Sequence, residues 1–147
     1  MTKTEDIKQI QHAIWGIYKD FLGDKNLDRC RERMDAMMQD FEGSAQYFLA
    51  NLIHSWSRVI GGLAEDFEDG RETGKRTEGI TRIQNETWKI YQSFLSDHDM
   101  AEYNRRYLRL KGECRDTGDR LLADFFIDIA VSWAPVANAF AESFRKK

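Results

Sequence analysis

The sequence predicts an all-α fold: a six-helix bundle built by tandem duplication of a three-helix unit, with pseudo-two-fold symmetry. Three observations carry that expectation. First, the chain repeats itself. Thr4, Glu5, Ile7, Ile10, Gln11, Trp15, Ile17, Tyr18, Phe21, Leu22 and Asp24 recur 73 residues later as Thr77, Glu78, Ile80, Ile83, Gln84, Trp88, Ile90, Tyr91, Phe94, Leu95 and Asp97, giving 11 identities in 21 ungapped positions. Internal repeats of this kind set the architecture before any single element is assigned. Second, apolar residues recur at alternating spacings of three and four, the mark of a helix with one buried stripe. Third, the chain has one proline and no alternating Val/Ile/Thr-rich runs of the sort that form strands.

Beyond Asp24 the offset of 73 persists with fewer identities: Leu27 faces Met100, Arg33 faces Arg106, Met37 faces Leu110, and Leu49 and Ala50 face Leu122 and Ala123. It then becomes 77. Ser55, Trp56, Val59, Ala64, Glu65 and Phe67 match Ser132, Trp133, Val136, Ala141, Glu142 and Phe144. The second copy thus holds four extra residues, expected near 128–131. Four residues make about one helical turn, so the insertion lengthens a helix without rotating its apolar face far.

Each element follows in order. The first helix is expected over 5–22, with Thr4 as N-cap, Gly23 as stop and a seam of Ile7, Ile10, Ile14, Ile17 and Phe21. The second covers 27–41, capped by Asn26 and closed near Gly43, with Leu27, Cys30, Met34, Met37 and Phe41 inward. The third begins after Ser44 and reaches 67, burying Phe48, Leu52, Trp56, Val59, Leu63 and Phe67; Gly61 and Gly62 predict a bend or a close helix contact. Residues 68–76 carry two glycines and almost no apolar content, and read as the linker between repeats 4–67 and 77–144 of one domain spanning 1–147. The fourth helix, 78–95, repeats the first with Ile80, Ile83, Thr87, Ile90 and Phe94. The fifth, 100–115, carries Met100, Tyr103, Tyr107, Leu110 and Cys114. The sixth, 119–144, is apolar around much of its circumference, so a central position is expected, kinked or divided by Pro135 near Trp133 and Ala134.

Composition bounds function. Hydrophobic residues make up 41% and charged residues 32%, ordinary for a globular chain. The net charge of −3 gives no bulk attraction to nucleic acid or anionic membrane. No stretch of about 20 apolar residues is read as a membrane span, and the N-terminus lacks the apolar core of a signal peptide. Cys30 and Cys114 fall at non-equivalent repeat positions, within helical stripes; reduced thiols and a cytoplasmic setting are expected.

A second stripe on the first and fourth helices lies about 100° from the isoleucine seam. It comprises Gln11, Trp15, Tyr18 and Leu22, repeated identically as Gln84, Trp88, Tyr91 and Leu95. Tyr and Trp combine large apolar area with a polar tip, which suits interfaces. The eight residues are therefore expected either to close the core where the repeats meet or to form a partner-binding groove.

Chemistry-bearing motifs are sparse. His12, His54 and His98 face Asn85, Ile127 and Lys25, so no histidine is duplicated. The chain has no Glu-x-x-His pair of a di-iron bundle, no His-x-x-x-His or Cys-x-x-Cys, no glycine-rich phosphate loop and no Gly-x-Ser-x-Gly. No cofactor and no metal are expected. His98 and Asp99 form the adjacent pair used by HD-type metal-dependent phosphohydrolases, with His54 and Asp119 or Asp124 as candidates for the remaining ligands. Against this, Asp99 followed by Glu102 three residues on reads as a capping box. Asp24 and Asp97, identical between copies, read as turn or capping residues. Arg29, Arg31 and Arg33, then Arg105, Arg106, Arg109 and Arg115, enrich the second and fifth helices in arginine. Arg29, Arg105, Arg106 and Arg109 are candidate contacts for an anion or an acidic partner, although Asp28, Glu32, Asp35 and Glu113 intersperse them.

The leading expectation is a non-enzymatic protein-interaction module, a small adaptor or an inhibitor of another protein. A homo-oligomer is compatible with it, and no membrane is involved. Two alternatives remain: a nucleic-acid-associated subunit using the arginines of the second and fifth helices, and an HD-like phosphohydrolase.

Overall fold

The computed structural model describes residues 4–145. They form six helices: α1 (Thr4–Asp24), α2 (Leu27–Met37), α3 (Ser44–Glu68), α4 (Gly74–Asp97), α5 (Met100–Asp116) and α6 (Arg120–Arg145). The described residues contain no strand. The protein is all-α. The chain divides into two compact units, with the boundary between Glu72 and Thr73. In the first, α1, α2 and α3 pack against one another; in the second, α4, α5 and α6 do so.

The core of the first unit is the predicted seam. Ile7, Ile10, Ile14, Ile17 and Phe21 of α1 are all buried, as are Cys30, Met34 and Met37 of α2 and Phe48, Leu52, Trp56, Val59 and Leu63 of α3. The second unit buries Ile80, Ile83, Thr87, Ile90 and Phe94 of α4, Tyr103, Leu110 and Cys114 of α5, and Leu122, Phe125, Phe126, Ile129, Trp133, Ala137 and Ala141 of α6. Thr87 stands where α1 has Ile14; its hydroxyl donates to the Ile83 carbonyl at 2.8 Å, which satisfies the polar group inside the core.

The two tight connections use one device twice. Lys25 and His98 adopt the left-handed conformation, with φ 55° and 57°. Their amides close the preceding helix on Phe21 O at 2.7 Å and Phe94 O at 2.9 Å. The next residue caps the following helix: the Asn26 and Asp99 side chains each accept from a backbone N–H three residues on, at 3.0 Å. Asp24 and Asp97 in turn accept from the Asn26 and Asp99 amides at 2.8 and 2.9 Å. The cap residue's side chain rests on the last aromatic of the third helix in each unit. Lys25 Nζ lies 4.9 Å from the Phe67 ring centroid, and the His98 ring stacks on Phe144 at 4.3 Å.

Several boundaries differ from expectation. Thr4 and Gly23 are helical rather than cap and stop, because the left-handed turn falls at Lys25. Helix α2 ends at Met37, and Phe41 reaches toward the core, half-buried, from the loop beyond it. Helix α4 starts at Gly74, inside the expected linker. Its first turn is held by Arg76, whose guanidinium donates to both Asp119 carboxylate oxygens at 2.8 and 3.2 Å. Helix α6 is undivided: Pro135 lies on its exposed side, where the hydrogen bond a proline cannot make faces water. Nor is α6 enclosed, since Ile127 and Val131 are 48% and 62% exposed. A helix in a three-helix unit keeps an outer face however apolar it is. Arg120–Phe144 is also long and apolar enough by composition to cross a membrane, contrary to expectation, although much of that apolar surface forms the core of the second unit.

Helices α3 and α6 span 25 and 26 residues, whereas α2 and α5 span 11 and 17. Burial keeps the offset of 77 along the whole third helix: Ala45 with Leu122, Phe48 with Phe125, Leu52 with Ile129. His54 therefore corresponds to Val131, not Ile127.

One glycine sits at a close helix contact. A Cβ at Gly79 would collide with the Leu122 side chain, so a methyl group there requires that buried side chain to shift. The matching pair in the first unit is Asp6 and Ala45, a larger residue facing a smaller one. At Gly61, where a close contact is expected, an added Cβ meets nothing.

Candidate functional site

The aromatic stripe sits inside each unit. Tyr18 is fully buried, with its ring centroid 5.3 Å from Trp15 and 4.9 Å from Trp56 of α3. Tyr91 lies 5.8 Å from Trp88 and 4.7 Å from Trp133 of α6. Gln11 and Gln84 are buried, and Trp15, Leu22, Trp88 and Leu95 are half-buried. The stripe is turned toward the third helix of its own unit, and aromatic pairs so placed contribute about 0.5–1.5 kcal/mol each beyond area burial. Burial raises the Tyr18 phenol well above its usual range and the Tyr91 phenol to about 12. Gln11 Nε2 and the Tyr18 hydroxyl reach no hydrogen-bond partner.

Two surface grooves lie in the second unit, on either side of α5. Between α4 and α5 runs a polar groove of about 500 Å³. Four cations line it, Arg82, Lys89, Arg106 and Arg109, together with Glu86 and Glu113. Arg82 bridges the helices, donating to Glu113 at 2.6 and 3.0 Å; that carboxylate raises the guanidinium pKa further. Arg106 and Arg105 both bind Glu102, lowering its carboxyl pKa, chiefly through these hydrogen bonds. Of the arginines named from sequence, Arg106 and Arg109 thus share this groove, Arg105 turns to Glu102, and Arg29 belongs to the first unit, 3.5 Å from Asp24.

Between α5 and α6 lies an apolar groove of about 390 Å³, formed by Tyr103, Asn104, Tyr107, Leu108 and Lys111 facing Phe126, Ala130 and Ala134. Leu108 is 67% exposed on one wall, and Ile127 and Val131 continue the apolar surface along α6. The floor carries two phenols with centroids 4.8 Å apart. Burial is the main cause that raises Tyr103 to about 12 and Tyr107 well above the ordinary tyrosine range. The two hydroxyls approach each other closely enough for each to shift the other's ionisation, and neither has a further partner among the described residues. Corresponding positions of the first unit are mostly different in kind: Cys30 and Met34 for the phenols, Asp35 for Leu108, His54 for Val131 and Ser57 for Ala134. There, Ser57 donates to Met34 Sδ at 3.6 Å.

Of the residues considered for metal chemistry, Asp99, Asp119 and His98 have other partners, and His54 is exposed on α3. Asp99 caps α5, while Glu102 turns to Arg105 and Arg106 instead of returning to the Asp99 amide, so the capping box is half-formed. Asp119 binds Arg76, and His98 stacks on Phe144. No group of three or more His, Cys, Asp or Glu stands together among the described residues. Cys30 and Cys114 are free and buried; burial raises both thiols, Cys114 to about 11.

Comparison with known proteins finds no matching family, no matching curated protein and no matching solved structure. Leu108, Ile127 and Val131 stand outside the helical seams that the sequence predicts. Leu108 lies off the α5 seam, and Ile127 and Val131 form an i, i+4 pair outside the α6 core positions. That off-seam placement was the available signal.

Proposed function

We propose that the protein is a non-enzymatic interaction module, an adaptor or inhibitor built from two copies of one ancestral three-helix unit, and that the second copy binds a protein partner through its α5–α6 face. The observation that carries this is the apolar groove between α5 and α6, on whose wall Leu108 is 67% exposed, with Ile127 and Val131 also exposed on α6. An open apolar groove marks a binding surface where single scattered apolar side chains do not. The duplication is supported by the 11 identities in 21 positions and by the matching Tyr18–Trp56 and Tyr91–Trp133 pairs. In a duplicated pair, a shared interior together with a divergent groove is what a function acquired by one copy leaves behind.

The test is photo-crosslinking in the native host. A benzophenone amino acid at position 108 or 131 is expected to give a discrete protein adduct that the same group at exposed Lys19 does not. No adduct above the Lys19 control would reject the proposal.

The nucleic-acid reading draws on Arg82, Lys89, Arg106 and Arg109 in the polar groove. It predicts a gel shift that weakens steeply with salt and is lost in Arg106→Ala/Arg109→Ala. Glu86 and Glu113 in the same groove weigh against it.

A further inference from the structure

We propose that the α5–α6 groove receives one amphipathic helix of a partner protein, apolar on its inner face and acidic along its flank beside α5. This rests on the reading of that face as a protein-binding site and names its occupant.

The dimensions fit a helix. From Tyr103 to Lys111, and from Phe126 to Ala134, each wall runs nine residues, about 12 Å from end to end at the rise of an α-helix. That is about two turns of a partner helix, enough for apolar anchors at i, i+3 or i+4, and i+7. The open side is bounded by two helices, so a third packed along it completes a four-helix arrangement around an apolar centre.

Charge selects the partner. Lys111 lines the groove and makes no ion pair among the described residues. Arg115 follows it one turn on, exposed. On the α6 wall, Phe126, Ala130 and Ala134 bring no charge. An acidic flank on the occupant finds its counter-charge on α5. A second copy of this chain would set Lys111 and Arg115 against their own kind, which disfavours self-association through this face. A lipid surface fits less well, because Asp124 and Asp128 lie half-exposed on the same helix. The buried floor adds a further preference. The Tyr103 and Tyr107 hydroxyls meet only each other among the described residues, and a pair so placed leaves one donor over, which a hydrogen-bond acceptor at the centre of the occupant would take.

The experiment selects a displayed library of helical 18-residue peptides on the intact protein, with counter-selection on the Leu108→Asp/Val131→Asp variant. Both positions are exposed, and circular dichroism of the variant checks that it folds. Enriched peptides are expected to be amphipathic and acidic on one flank, to bind the parent, and to lose at least about tenfold in affinity on the variant, the loss of a well-packed apolar anchor. Tyr107→Phe is expected to fold as well as the parent and to bind them about threefold more weakly, the value of one hydrogen bond. Enrichment of basic or extended peptides, or none, overturns the proposal. So does a dimer in sedimentation that Val131→Asp abolishes, or binding to phosphatidylcholine vesicles that Val131→Asp abolishes. If position 108 crosslinks to a protein while no helical peptide is selected, the helical occupant fails and the binding face stands. If neither result appears, both readings fall.

Discussion

Tyr18 and Trp56 hold their ring centroids 4.9 Å apart at an interplanar angle of 46°, and the Tyr18 hydroxyl ends in the interior without a partner. The contact ties the first helix of the unit to the third. Its counterpart, Tyr91 with Trp133, has a distance of 4.7 Å and an angle of 38°. A ring is needed at these positions, while at Tyr18 the hydroxyl is not.

Tyr18→Phe is therefore expected to leave stability unchanged or to raise it by up to about 1 kcal/mol, because it removes a polar group that pays desolvation for no bond. Trp56→Ala, by contrast, is expected to cost about 3–5 kcal/mol through lost burial and the cavity left behind. Urea unfolding measures both. A loss above about 1 kcal/mol in Tyr18→Phe would mean that the hydroxyl is satisfied after all.

Glycines in helices separate packing from propensity. Gly16→Ala, where a Cβ meets nothing, is expected to stabilise by about 0.5–1 kcal/mol. Gly79→Ala collides with Leu122 and is expected to destabilise by about 1–3 kcal/mol despite the same gain in propensity. In a double-mutant cycle, Leu122→Ala should recover part of that loss; strictly additive costs would show that the two side chains do not meet.

Asp99→Ala is expected to cost about 1 kcal/mol as a lost N-cap, and Asp99→Asn close to nothing, since the amide oxygen still accepts from Glu102 N. Thermal unfolding reads the difference. A ligand in a metal site would behave otherwise: both variants would abolish metal-dependent stabilisation alike, and that result would revive the phosphohydrolase reading.

Alkaline pH acts through the buried phenols. Tyr91 and Tyr103 ionise at about 12 when folded, against about 10 in the unfolded chain. The folded state thus holds its protons more tightly. The stability this contributes is intact below pH 10 and is lost as pH rises from about 10 toward 12. Tyrosinate absorbance from the buried rings should therefore appear together with the loss of helical circular dichroism. The Cys114 thiol, at about 11, should react slowly with a disulfide reagent at pH 8 in the native protein and rapidly in denaturant. Fast native reaction would contradict its burial.

Much of the fold was legible because its signals are local and periodic. The seams of α1 and α4 are buried residue for residue as their spacing implies. What escaped is set by tertiary contact. Phe41 continues the α2 period in sequence yet lies beyond the helix, since a side chain in the following loop can reach the same core. The first turn of α4 reads as linker because Gly74, Lys75 and Arg76 show no apolar period; its anchor is Asp119, 43 positions away. The stripe of Gln11, Trp15, Tyr18 and Leu22 was visible, but its facing partner, Trp56, was not, because repetition marks a residue without saying what it touches. The α5–α6 groove left almost no periodic trace, since exposed apolar side chains beside a seam look like a wider seam.

The added length of α5 has a bearing on how such a chain can change. Six more residues than α2 extend that helix at its far end, beyond the aromatic contacts shared by both units. A lengthening placed there leaves the interior untouched and gives the outer surface a fresh turn on which substitutions are tolerated.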